Sequence, residues 1–398
     1  MKKLILLGSM LFAFTMMASS CNNAASKNKN NDENVTIVEV SDTDNNKPNA
    51  STKIQVAILL DTSSSMDGLI EQTKSRLWNI VNTLTTLKYK GRTPHIEIAL
   101  YEYGNNGINT DDYIRQVTPL TTDLDIISQR LFALTTWGGS EYCGAVIDKA
   151  TKMLDWGKNP ADMKLIYIAG NEPFTQGSIS YKQAISRALE KNIYVNTIHC
   201  GNARDGISGM WRDGAVRGKG KFFNIDHNVR VLHVDTPYDA QISACNERLN
   251  GTYVGYGSLG YDRMQVQVQQ DANARSISSA NYAERAVSKT KQVYQNNESW
   301  DLVDKVKKDS KALDNIKQSE LPKEFQNKSK AEVQKVLKEK EAERTAIQKE
   351  INELAKKRQE YIDAEQKKQS SGAGDDLGKA INESLLALAN EKGYTVSK

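Results

Sequence analysis

The chain has 398 residues, 39% of them apolar and 26% charged, with 53 Lys+Arg against 49 Asp+Glu and a formal net charge of +4. That apolar content excludes wholesale disorder, and so small a net charge excludes a strongly basic nucleic-acid binder. Four cysteines are too few for a disulfide scaffold, while the length allows two or three folding units.

Lys2 and Lys3 precede an apolar stretch from Leu4 to Met17, too short to cross a bilayer of about 30 Å but suited to an export signal. Ala18-Ser19-Ser20-Cys21 closes it and resembles the lipobox of bacterial lipoproteins. The resemblance implies that residues 1–21 are a signal peptide and that Cys21 becomes the lipidated first residue of the mature chain. The protein would then sit in the bacterial cell envelope, lipid-anchored at the outer membrane or facing the periplasm. Residues 22–52 contain nine Asn and little that can be buried, and read as a flexible tether.

Ile54–Leu60 is a near-continuous apolar run ending at Asp61, as expected of a strand buried on both faces. Leu69, Thr73, Leu77, Ile80, Val81 and Leu84 follow at helical spacing. The alternation continues with strands at Ile96–Tyr103, Lys164–Ala169, Ile193–Cys200 and Phe222–Asp226. Helices are expected at Leu124–Leu134, Tyr142–Leu154, Tyr181–Lys191 and from about Asp239 to Leu249. This order predicts an α/β fold, a doubly wound and mostly parallel sheet, over residues 53–236. Ligands of such sheets bind at the carboxyl ends of the strands.

The turn at the first such end is Asp61-Thr62-Ser63-Ser64-Ser65-Met66. One carboxylate and two hydroxyls at alternate positions can converge as hard oxygen ligands, which suit Mg²⁺ or Mn²⁺ better than Zn²⁺. Asp61-x-Ser63-x-Ser65 after a buried strand resembles the metal-ion-dependent adhesion site of von Willebrand factor type A domains. Thr135-Thr136-Trp137-Gly138-Gly139-Ser140-Glu141 is similar to the family's second loop, with Ser140 in the place of its coordinating threonine. The third loop departs from the family pattern, with Gly170 or Asn171 where an acid is expected, and Glu172 is the nearest acid able to take over. By this resemblance Asp61, Ser63, Ser65, Ser140 and Glu172 are the metal ligands. A metal lacking one carboxylate would depend more on an acidic side chain offered by a protein partner.

His199 and Cys200 end one strand and Cys143 opens a helix. Neighbouring residues of a strand point to opposite faces, so His199 does not activate Cys200, while a pairing with Cys143 stays open. Cys143, Cys200 and Cys245 allow at most one disulfide. His95, His227 and His233 read as structural, and no P-loop or G-x-S-x-G is present. The Gly, Arg and Lys run from Gly201 to Gly220 reads as a loop. Between Gly251 and Asn297, within a 237–300 extension, Met264–Val268 alternates as an edge strand or a chain lying along the sheet would, and helices are expected at Asn281–Tyr294 and Trp300–Val306.

From Asp301 to Lys368, 33 of 68 residues are charged, 18 basic and 15 acidic. A long helix is expected from about Lys328 to Lys368. Its heptad positions Val333, Leu337, Ile347, Ile351, Leu354 and Tyr361 are interrupted by Lys340, Arg344 and Arg358. With a break at Ser370–Gly374 and a last helix holding Ile381, Leu385 and Leu388, residues 301–398 form an α-helical, partly coiled-coil-like region. This region is expected to fold back as a hairpin, pair with another chain or stand solvated. The whole reads as a metal-dependent protein-binding module and not an enzyme. The alternatives are an envelope scaffold acting through its helical region, or a hydrolase using the strand-end pocket with Cys143 or Cys200.

Overall fold

The computed structural model describes residues 52–397 apart from 111, 227, 229, 230, 232, 295, 296 and 369–376. Cys21, the signal segment, the tether, His227 and the Ser370–Gly374 break lie outside the described residues. The chain runs β1 (Lys53–Asp61), α1 (Asp67–Thr85), β2 (Leu87–Tyr89), β3 (His95–Tyr103), β4 (Ile114–Thr121), α2 (Leu124–Phe132), α3 (Cys143–Met153) and β5 (Met163–Gly170). It continues α4 (Tyr181–Glu190), β6 (Ile193–Cys200), α5 (Ala203–Ser208), α6 (Trp211–Arg217), β7 (Lys219–Ile225), α7 (Asp239–Asn250), α8 (Gly257–Ile277) and α9 (Ser279–Lys289). Last come α10 (Leu302–Lys308), α11 (Lys330–Lys368), α12 (Leu377–Glu391) and β8 (Tyr394–Val396).

Six strands form one sheet in the order β4-β3-β1-β5-β6-β7, parallel except for the antiparallel edge strand β4. β1 is central because both its faces are apolar. Ile54, Val56, Ile58 and Leu60 pack with α1, α2 and α12, while Ala57 and Leu59 pack with α3, α4 and Trp211. The mostly parallel sheet flanked by helices and followed by a helical region is the expected fold class. β4 was not foreseen: its sequence IRQVTPLT is half exposed, as an edge strand can be.

Three expectations are corrected. Gly201–Gly220 is not a loop but mostly the short helices α5 and α6, the second opened by the fully buried Trp211, with Gly214 passing where a Cβ would meet the Phe174 ring at 2.6 Å. Met264–Val268 is not a strand but part of α8, whose buried Gln267, Gln270 and Asp271 follow helical spacing. The long charged helix packs on its own chain: Val333 and Leu337 bury against α10, and Ile347, Ile351 and Leu354 against α7 and α9.

The interruptions in that seam are paired. Arg344, 5% exposed, donates to Asp301 and Asp304 at 2.6 and 2.7 Å, and Arg358, 6% exposed, donates to Asp239 at 2.7 Å. α12 adds Ile381, Leu385 and Leu388 to the core that also holds Ile58, Leu60 and Leu77. β8 then pairs antiparallel with β2, so the C-terminal residues are woven into the α/β unit.

Candidate metal centre

Asp61 is the last residue of the central strand and is fully buried. Its neighbours on both sides lack side chains where it needs room. Gly104, at φ +81°, follows β3, and a Cβ there would stand 2.7 Å from Asp61 Oδ1 and 2.9 Å from Glu141 Cγ. Gly170 ends β5, and a Cβ there would stand 2.5 Å from the Tyr103 hydroxyl and 3.1 Å from Asp61 Oδ2. That hydroxyl is fixed, since it donates to Ala169 O at 2.9 Å.

The first loop curls over this carboxylate. Ser63 N–H donates to Asp61 Oδ1 at 2.7 Å, Ser63 Oγ and Ser65 Oγ lie 3.2 Å apart, and Asn171 Nδ2 from the third loop donates to Ser65 Oγ at 3.2 Å. The second loop is tied to the first by backbone bonds, Trp137 N–H to Thr62 O at 2.9 Å and Ser64 N–H to Gly138 O at 3.0 Å. Gly139 and Ser140 N–H both donate to Asn106 Oδ1, at 3.1 and 3.2 Å. Asp61, Ser63 and Ser65 are thus brought together, with Ser140 paired by its backbone to Gly104.

Sequence reasoning missed Glu141. It is 2% exposed, its Cγ stands 2.9 Å from the point a Gly104 Cβ would take, 2.7 Å from which lies Asp61 Oδ1, and its Oε2 accepts from Glu172 N–H at 3.3 Å. An acid directly after Gly-Gly-Ser is a visible signal, but a loop has no periodicity from which its inward direction could be read. Glu172 instead turns its carboxylate to Gln176 Nε2 at 3.2 Å.

Burial drives the electrostatics. It pushes the Asp61 carboxyl up to about 6, against the neighbouring Glu141 carboxyl and hydrogen bonds from Ser63 that pull it down. Burial, followed by repulsion from Asp61, pushes Glu141 up to about 9. Asp61 Oδ2 is buried and no protein donor reaches it. Two facing carboxyls attract only through a shared proton or a cation. The donor set, two buried carboxyls with the Ser63 and Ser65 hydroxyls, fits a hard divalent cation such as Mg²⁺ or Mn²⁺. Among the described residues no three of His, Cys, Asp and Glu converge as a metal group, so hydroxyls have to complete any coordination shell here.

The residues of the hydrolase alternative do not assemble. His199 Nδ1 meets Asn224 Oδ1 at 2.8 Å and its Nε2 meets Asn171 O at 3.3 Å, so the ring braces the third loop. Cys143 donates to the Tyr103 hydroxyl at 3.8 Å, and burial pushes the Cys143 and Cys200 thiols well up, away from thiolate. Cys143, Cys200 and Cys245 are all free and buried. Beside the centre opens a cleft of about 830 Å³, bordered by Asn109, Gln116, Thr135 and Trp137. Trp137 itself is 67% exposed.

No helix among the described residues is long and apolar enough to cross a membrane. A comparison with curated proteins finds no match. Among solved structures, the chain is similar to the conserved hypothetical protein BatB from Bacteroides thetaiotaomicron, at 18% identity and TM-score 0.33, over 44% of this chain and 90% of that one. It is likewise similar to the SpRpn10 VWA domain, at 18% identity and TM-score 0.34, over 44% and 89%. Proximal thread matrix protein 1 from the mussel byssus, with a zinc-occupied MIDAS motif, gives 14% identity and TM-score 0.35 over 45% and 43%. The family model that matches is the von Willebrand factor type A domain, over residues 55–207, the stretch that carries β1 through β6 and every residue of the candidate centre.

Proposed function

We propose that this chain is a lipid-anchored envelope protein that binds a protein partner through a divalent cation, Mg²⁺ or Mn²⁺, held by Asp61, Ser63, Ser65 and Ser140, with Glu172 at the rim. When bound, the cation supplies a positive charge to which an acidic side chain of the partner attaches. The chain's own residues set out the site: Asp61 is fixed by the Ser63 N–H, the two serine hydroxyls are held 3.2 Å apart, and the second loop is clamped over the first. The carrying observation is the fully buried Asp61 carboxylate whose Oδ2 has no protein donor, beneath two hydroxyls at the carboxyl end of the central strand. The match of residues 55–207 to a family of interaction domains supports the same reading, and the exposed Trp137 gives a partner an aromatic contact beside the ion. Lipid attachment at Cys21 and placement in the cell envelope rest on the N-terminal sequence.

Calorimetry with Mg²⁺ and Mn²⁺ tests the site. Binding is expected in the wild type and lost by at least about tenfold in Asp61→Ala, which removes the only carboxylate on the first loop (a factor of ten is about 1.4 kcal/mol). Identical binding by the two proteins sinks the assignment. Affinity capture from the native envelope then tests the role: a partner retained in Mg²⁺ and released in EDTA is expected with the wild type and absent with Asp61→Ala.

A further inference from the structure

We infer that Glu141 is a metal ligand of this centre, supplying from the second loop the carboxylate that the third loop does not carry. The inference rests on the metal reading above and sharpens it. Gly170 leaves no room for an acid: a Cβ on it would already stand 2.5 Å from the Tyr103 hydroxyl and 3.1 Å from Asp61 Oδ2. Asn171, next in the chain, uses its amide to hold Ser65 Oγ at 3.2 Å. Space on the other side is open because Gly104 has no side chain, and Glu141 fills it, its Cγ 2.9 Å from where a Gly104 Cβ would be.

Glu141 is held in this position from two directions. Its N–H donates to Gln176 Oε1 at 3.3 Å, and its Oε2 accepts from Glu172 N–H at 3.3 Å. Its side chain thereby lies beside the Asp61 carboxyl, Glu141 Cγ and Asp61 Oδ1 standing 2.9 and 2.7 Å from the one point a Gly104 Cβ would take, and the buried Asp61 Oδ2 has no hydrogen-bond partner. Burying two carboxyls face to face is costly unless a proton or a cation lies between them, and a divalent cation balances both charges once the proton is lost. Glu172 serves this arrangement through its backbone, its own carboxylate being engaged by Gln176 at 3.2 Å. Asp61 and Glu141 would then hold the ion with two of the chain's own carboxylates.

Calorimetric titration of the full mature chain with Mn²⁺ alone, and with Mg²⁺ alone, decides it. Glu141→Gln is expected to bind at least about tenfold more weakly than wild type, and Glu172→Gln within about twofold of it. In EDTA the melting temperature of Glu141→Gln is expected to equal or exceed that of wild type, which separates a lost ligand from a damaged fold. Should Glu141→Gln fail to fold, Glu141→Asp, which keeps the charge but shortens the reach, is read the same way. Wild-type affinity in the Glu141 variant overturns the inference, as does a tenfold loss in Glu172→Gln with none in Glu141→Gln. Absence of Mn²⁺ and Mg²⁺ binding by the wild type overturns the metal reading itself, and this inference with it.

Discussion

Glu141 and Asp61 both carry pKa values raised by folding, and a group of that kind stabilises the folded chain only while it keeps its proton. For Glu141 the shift runs from 4.5 to about 9, so its contribution is complete below the lower value and lost as pH rises through the upper one. In EDTA, the melting temperature of wild type relative to Glu141→Gln should therefore fall as pH is raised from about 5 to about 9. The gain in melting temperature on adding Mg²⁺ should grow over the same range. A difference that stays flat with pH would show that the Glu141 carboxyl is not held against Asp61. Of this site, Asp61, Ser63 and Ser65 were legible because an apolar strand that stops at an acid has one place to put it. Glu141 was not, because the direction of a side chain after Gly138-Gly139 depends on tertiary bonds to Asn106 and Gln176.

Among the elements, those with strong periodicity were read correctly: β1, α1 and the core strands follow from apolar runs that only a sheet covered on both faces can bury. α8 was misread because Gly, Tyr and Gln give little apolar signal, and, Ala274 apart, the side chains it buries, Gln267, Gln270 and Asp271, are polar. The seam of α11 was discounted for its arginines, yet Arg344 lies between Asp301 and Asp304 and Arg358 on Asp239. Charge in a heptad position is compatible with burial when the partner helix supplies the acid. Arg344→Ala leaves Asp301 and Asp304 buried without their cation and should cost about 3–5 kcal/mol in urea unfolding. Leu385→Ala, emptying a fully buried position where α12 meets the sheet, should cost about 2–5 kcal/mol. Losses below about 0.5 kcal/mol would mean that these helices do not hold the α/β unit.

At the scale of the whole molecule, the described residues from 52 to 397 form a single unit. The helical region is fastened to the sheet by polar as well as apolar contacts. Arg285, fully buried, bridges Asp271 of α8 and Asp125 of α2 at 2.7 Å each, and Lys289 meets Asp271 at 3.1 Å. Burial alone would raise the Asp271 carboxyl, but Lys289 and Arg285 more than offset it and hold it well below the usual range. A depressed carboxyl contributes stability above its unfolded pKa and loses it as pH falls, so acid unfolding below about pH 4 should be blunted in Asp271→Asn, which starts from a lower stability. An unchanged acid midpoint would remove this contact from the account. Tyr394 O–H donates to Ala161 O at 2.8 Å and Ser397 N–H to Thr86 O at 2.7 Å, so a chain cut before α12 loses part of its core. Circular dichroism of a 1–376 fragment should show a chain that has lost its cooperative melt, which rules out simple deletion as a test of partner capture.

β1 spans nine residues, about 30 Å, from Lys53 at one pole of the sheet to Asp61 at the other. Its register is locked on both sides, to β3 from Lys53 to Asp61 and to β5 from Ile54 to Leu60. If the chain is held through the residues before Thr52 and gripped at the metal face, tension enters at one end of this strand and leaves at the other. The load then runs parallel to the strand and is shared as shear by two complete ladders of hydrogen bonds, so they must fail together and cannot be unzipped one at a time. The geometry that buries Asp61 thus also aligns the central strand with any load applied between the segment before it and the metal face.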